Sequence, residues 1–189
     1  METKEQSILR KQAIEEKHFE NFVNSKEIKR YAFTALDHPY DAKFQSGSTY
    51  CIGEIKVRKD RDIEYFEKYG AFLELSKIQG MWKQKEYIKQ TKGFDVQMLY
   101  FNFASNGLQI FYLNEPWTYN FNWRLLPKDN FEPHIKIWKL VAELKNALCF
   151  SFSNFEPFSF LSAVIFSFLA ILYTQVAKVD LSALYLPSS

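Results

Sequence analysis

The run Thr49-Tyr50-Cys51-Ile52-Gly53-Glu54-Ile55-Lys56-Val57-Arg58 constrains the fold more than any other stretch of this chain. Its β-branched and aromatic residues favour an extended strand. With a side-chain period of two, Cys51, Gly53, Ile55 and Val57 share one face, and Tyr50, Ile52, Glu54, Lys56 and Arg58 share the other. A carboxylate and an ammonium therefore leave the same face of an otherwise apolar strand. Upstream, Tyr40-Asp41-Ala42-Lys43-Phe44 and the turn residues Gln45-Ser46-Gly47-Ser48 predict a hairpin that folds back and brings Asp41 near Glu54.

A chain of 189 residues with 47% hydrophobic and 18% aromatic residues is far too apolar to be disordered, and its length suits one domain with an extension. The formal net charge of +2 does not announce a nucleic-acid binder, so any phosphate-binding surface must be local. Cys51 and Cys149 form neither a C-x-x-C pair nor a disulfide framework, and the charged start Met1-Glu2-Thr3-Lys4-Glu5 leads into no apolar run. A cytoplasmic protein without a secretory leader is expected. No Gly-rich phosphate loop, zinc framework or serine elbow is present, and His18, His38 and His134 have no ligand or triad spacing. These absences argue against nucleotide-dependent and acyl-transfer chemistry.

Glu5 to about Ile28 reads as a helix with Ile8, Leu9, Gln12, Phe19 and Val23 on its core-facing side. Glu16 falls inside that apolar sector, whereas Glu15 and Lys17 lie off it. A carboxylate on such a stripe costs free energy unless something pairs with it. Arg30–Leu36 favours a strand, and Pro39 sits ahead of the hairpin, where its missing N–H does least harm. Asp60 to about Gln90 is expected to be helical with a break near Gly70, with Phe72, Leu75, Ile78 and Trp82 at helical spacing. Asp95–Phe103 and Leu108–Leu113 form a second hairpin about Ser105-Asn106-Gly107. Glu115–Pro133 is aromatic and irregular. Its Trp117, Tyr119, Phe121, Trp123 and Phe131, beside Arg124 and Lys128, could stack bases, but packing on the core is the expected role. His134–Leu148 reads as an amphipathic helix with Ile137, Leu140, Val141 and Leu144 inward.

Two carboxylates and a lysine converging at a hairpin suit divalent-metal hydrolysis, which needs hard oxygen ligands and a group to orient or deprotonate water. Asp41 and Glu54 supply carboxylates, the carbonyl of Ile55 a further oxygen, and Lys56 a positive charge. The tripeptide spacing is not specific by itself, since Glu2/Lys4, Glu15/Lys17, Glu27/Lys29, Asp41/Lys43 and Glu143/Lys145 share it. Only Glu54-Ile55-Lys56 lies in an apolar strand behind a hairpin-mate carboxylate. The bland alternative is a solvent-facing ion pair on an edge strand, worth little energy.

The order of a helix with Glu16, a strand, Asp41 and then Glu54-x-Lys56, followed by a helix and two strands, resembles the PD-(D/E)xK nuclease superfamily over roughly Glu5–Leu113. The resemblance is especially to its small resolvase-like and restriction-endonuclease-like members. The resemblance implies an α/β fold with an α-β-β-β-α-β core, a mixed central sheet flanked by helices, and Mg²⁺-dependent hydrolysis of DNA by metal-bound water, with Mn²⁺ able to substitute. It makes Asp41 and Glu54 metal ligands with the Ile55 carbonyl, Lys56 the catalytic lysine and Glu16 an additional acid. Lys77 or Gln79 on the following helix could add a polar group. DNA is the expected partner, with a homodimer open as a further one. The same fold also hosts inactive versions that only bind nucleic acid or protein.

Residues 149–189 are a different material, in which only Glu156, Lys178 and Asp180 carry charge. Pro157–Val176 is uncharged over a length that spans a bilayer as a helix. A membrane segment at about 157–177, attached to a nuclease domain at 1–148, is the plain physical reading. A packed or oligomer-forming C-terminal hydrophobic helix, and a non-native end created by a frame shift near Cys149, are the alternatives.

Overall fold

The computed structural model describes residues 3–36, 38–46, 49–114, 119–128 and 134–151. The chain divides into the units Met1–Phe152 and Ser153–Ser189, and all described residues belong to the first. The hydrophobic segment expected at 157–177 lies outside the described residues, among which no helix is long and apolar enough to cross a membrane.

The protein has a mixed α/β fold. Helix α1, Lys4–Ser25, begins at a capping box in which Thr3 and Gln6 satisfy each other's backbone N–H groups. Strands β1 (Tyr31–Phe33), β2 (Ala42–Ser46) and β3 (Thr49–Arg58) follow as an antiparallel meander, with Phe44 opposite Cys51 and Ala42 opposite Gly53. The chain then crosses over through α2 (Ile63–Tyr69), β4 (Ala71–Glu74) and α3 (Leu75–Lys92). This crossover lets β5 (Val96–Ala104) run parallel to β3, an arrangement that a tight turn cannot connect. Antiparallel β6 (Gly107–Tyr112) and β9 (Leu148–Ser151) complete a six-stranded sheet of order β1-β2-β3-β5-β6-β9. Strands β7 (Tyr119–Pro127) and β8 (Lys136–Leu144) form a second sheet with β4, of order β4-β8-β7.

The main sheet is buried on both faces. On one side, Ile52, Met98 and Tyr100 pack with Ile78, Met81 and Ile88 of α3. On the other, Ile55, Phe101 and Leu108 pack with Phe19, Phe22 and Val23 of α1. This two-sided burial is why β3 and β5 read as nearly continuous apolar runs.

Several local expectations change. The segment expected as an amphipathic helix holds strand β8 instead, hydrogen-bonded by β7 along its length and by β4 at Val141–Leu144. Val141 and Leu144 are buried as a helix would also bury them, but Ile137 is 41% exposed, because that end of β8 extends beyond the core. Where it is buried, β8 is paired on both edges and its backbone is satisfied as fully as a helix would satisfy it, so long-range pairing overrode the 3.6-residue pattern. The break at Gly70 is present, with φ of 81°, but Phe72 then belongs to β4 and the helix resumes at Leu75. Residues 119–127 are regular strand, and Trp123 and Phe121 are 63% and 43% exposed rather than packed on the core. The expected domain end at 148 falls within β9.

Helix α3 approaches the segment before β2 closely at Gly80. A Cβ built there would stand 2.6 Å from Pro39 Cβ, so the glycine lets α3 press on the chain two residues from Asp41. Gly80→Ala gains about 1 kcal/mol of helix propensity and costs about 1–3 kcal/mol of overpacking against a rigid ring. Urea denaturation should therefore show Gly80→Ala to be less stable than wild type by about 1 kcal/mol.

Candidate active site

Strand β2 pairs with β3 only from Thr49 to Gly53, whereas β5 pairs with it from Tyr50 to Arg58. Among the described residues, 54–58 of β3 therefore have one edge without a strand neighbour. Asp41, the residue just before β2, covers the start of that edge. Its N–H donates to the Gly53 carbonyl at 2.9 Å, and its carboxylate Oδ2 accepts the Ile55 N–H at 2.7 Å, replacing the ladder bond that β2 no longer supplies. The Ile55 carbonyl faces the same opening and accepts from Lys56 Nζ at 2.7 Å.

Lys56 Nζ is the point on which the acidic groups converge. It lies 2.7 Å from Glu54 Oε1, 3.5 Å from Asp41 Oδ2 and 3.7 Å from Glu15 Oε1. The Glu54 side chain has no exposed surface, and its second oxygen accepts from Lys77 Nζ of α3 at 3.1 Å. Glu54 Oε1 faces Lys56 as an ion pair without hydrogen-bond geometry, and Glu15 Oε1 is likewise buried with no hydrogen-bond donor among the described residues. Two buried acceptor oxygens thus rely on the Lys56 ammonium for charge balance at one point.

Asp41, Glu54, Lys56 and the Ile55 carbonyl come together as expected. The acid contributed by α1 is Glu15, not Glu16, whose Oε1 instead accepts from Gln12 on its own helix at 2.7 Å. The physical reason is the phase of the helix. Leu9, counted as core, is 57% exposed, while Phe19, Phe22 and Val23 are buried. Without Leu9 the apolar sector rotates toward Glu15, one turn before Phe19. Of the two groups considered on α3, Lys77 reaches Glu54 and Gln79 is exposed.

Burial opposes the charge on Lys56, but Glu54, Asp41 and Glu15 outweigh it and hold the ammonium well above its ordinary value of 10.5. Its contribution to stability is complete below that value and disappears only as pH rises through the higher folded value. Glu15 shifts up from its ordinary value of 4.5, chiefly because burial penalises its charge, with Lys56 and Lys11 opposing the shift. Lys11 is lowered by burial, against the pull of Glu15 and with the repulsion of Lys56 and Arg58.

The group opens into a cleft of about 590 Å³ between α1, the end of β1 and the end of β3, lined by Lys11, Glu15, Phe33, Asp41 and Arg58 among others. Among the described residues, no three His, Cys, Asp or Glu side chains are drawn close enough to hold a metal ion between them. The Lys56 ammonium stands in that space. The donors around it are hard oxygens, the donor type that Mg²⁺ and Mn²⁺ take. No protein-family model, curated protein or solved structure matches this chain.

Two stability measurements probe this geometry. Protonated Glu15 contributes stability that is present below pH 4.5 and lost as pH rises through its raised folded value. Glu15→Gln should therefore melt above wild type at neutral pH, with the difference closing as pH falls below the carboxylate range. Asp41→Ala leaves the Ile55 N–H without an acceptor and should cost about 1–3 kcal/mol in urea denaturation, most of it recovered in Asp41→Asn, which keeps an acceptor oxygen.

Proposed function

We propose that this protein is a Mg²⁺-dependent nuclease that hydrolyses DNA phosphodiester bonds. The observation that carries this reading is the convergence of Glu15, Asp41 and Glu54 on Lys56 at the free edge of β3. The element order supports a restriction-endonuclease-like core: α1, the antiparallel strands β1-β2-β3, the crossover helix α3, and β5 parallel to β3. In this reading Glu15 takes the part that the sequence pattern assigned to Glu16.

Asp41, Glu54 and the Ile55 carbonyl would hold the ion, with Glu15 behind them. When bound, Mg²⁺ would polarise the phosphoryl oxygen and lower the pKa of water. The chain's own groups divide the remaining work. Glu54 is held rigid between Lys56 and Lys77, so its carboxylate orientation is set before substrate arrives. Lys56, which stays protonated at neutral pH, offsets negative charge that builds on the phosphoryl group. Glu15, with its proton affinity raised by burial, is suited to take a proton from the attacking water.

One observation favours a second reading, a non-catalytic DNA- or protein-binding module on the same core. Lys56 donates to the Ile55 carbonyl and pairs with Glu54, so it already satisfies two groups that an ion would need. The two readings part on one measurement. With Mg²⁺ or Mn²⁺, the full chain should convert DNA to shorter products, and Asp41→Asn, Glu54→Gln and Lys56→Ala should each lower kcat by about 10²-fold or more. DNA retention without any metal-dependent product would select the binding module instead.

A further inference from the structure

Among the basic residues that line the cleft, Lys11 and Arg58 stand beside the acidic group and make no direct ion pair among the described residues. Lys11 lies one helical turn before Glu15 on α1, and Arg58 lies two residues beyond Lys56 on the same face of β3. Both are half-buried, and among the described residues neither has a carboxylate oxygen within 4.0 Å. Of the charges around it, Lys11 feels the pull of Glu15 first and, more weakly, the repulsion of Lys56 and Arg58. The lining carries Glu15, Glu16, Asp41 and Asp60 beside Arg10, Lys11, Arg58 and Lys59, so what Lys11 and Arg58 lack is not negative charge nearby but an oxygen in direct contact, which a phosphate would supply.

The spacing indicates which anion. One helical turn from Glu15 to Lys11 is about 6 Å of rise, and two strand residues from Lys56 to Arg58 are about 7 Å. Helix and strand thus step from the acidic group to the cationic pair by similar distances. That step is comparable to the separation of neighbouring phosphates along a nucleic-acid strand. The order acid then base along both elements also makes chemical sense: acids where a hard cation would sit, and bases where only a phosphate's own charge remains to be neutralised.

We propose that Lys11 and Arg58 seat the phosphate next to the one at the acidic group, so that the cleft takes a continuous run of nucleic-acid backbone rather than a lone phosphodiester. This rests on the nuclease reading above and adds its substrate requirement. Arg58 supplies a planar fork matched to two phosphate oxygens, and Lys11 a point charge from the opposite wall. Both are positioning residues that act through binding.

The test compares DNA with bis(p-nitrophenyl) phosphate, a diester with a single phosphate, using the full chain with Mn²⁺. Lys11→Gln and Arg58→Gln should each raise KM for DNA about tenfold relative to KM for the small diester, the effect of losing one charge-assisted contact. Each should also flatten the salt dependence of log(kcat/KM) for DNA by about one unit of slope, and Arg58→Lys should restore part of that slope. If wild type cleaves DNA but both variants keep its KM and salt slope, the phosphate seat is wrong and the nuclease reading stands. Equal losses on both substrates also overturn the seat, because the charges then serve the acidic group itself. Wild type that cleaves neither substrate overturns the nuclease reading, and the seat with it.

Discussion

The structure depends on a carboxylate that has no exposed surface. Glu54 stands in the middle of the strand that forms the centre of the main sheet, between Ile52 and Ile55, where desolvating an unpaired charge would cost several kcal/mol. Two ammonium groups make the position tenable. Lys56 comes from the same strand and Lys77 from the helix that packs over it, one on each carboxylate oxygen. The crossover from β3 to β5 has to pass through α3 at this point for the charge to be balanced. Fold and ion cluster therefore require each other: the parallel β3–β5 pair needs a crossover, and the crossover delivers Lys77.

A second constraint is where β2 ends. Its pairing with β3 stops at Gly53, one residue before Glu54, and a longer β2 would have covered the edge that Asp41 and Lys56 use. The departure is shaped by Pro39, which Gly80 of α3 meets at close range, and by Asp41, whose carboxylate takes over the ladder bond. An opening in the sheet edge results without an unsatisfied N–H at Ile55. The same opening exposes the cleft in which acidic and basic residues lie one step apart.

Local patterns were legible where the chain talks to its near neighbours. The β2–β3 hairpin, the β5–β6 hairpin and the break at Gly70 all follow from turn residues and a period of two, and Asp41, Glu54 and Lys56 could be brought together from that alone. Glu15 was missed by one position because helix phase was averaged over Leu9, an apolar residue that faces solvent. The weaker stripe of Phe19, Phe22 and Val23 held the correct phase. Strand β8 was unreadable for a different reason. Its partners β4 and β7 supply the hydrogen bonds that make it a strand, and strand and helix alike bury Val141 and Leu144.

By itself, then, the sequence determined that a hairpin would present a carboxylate and a lysine from one face of an apolar strand, opposite a second carboxylate. That much is decided by side-chain alternation and turn chemistry, both of which act over a few residues. Only the tertiary structure decided that Glu15 faces the cluster, that Lys77 closes it, that Lys56 fills its centre, and that Lys11 and Arg58 stand beside it. Those placements depend on how α1 and α3 pack against the two faces of the sheet. Packing is set by the sum of many weak apolar contacts from distant segments, which no local pattern contains.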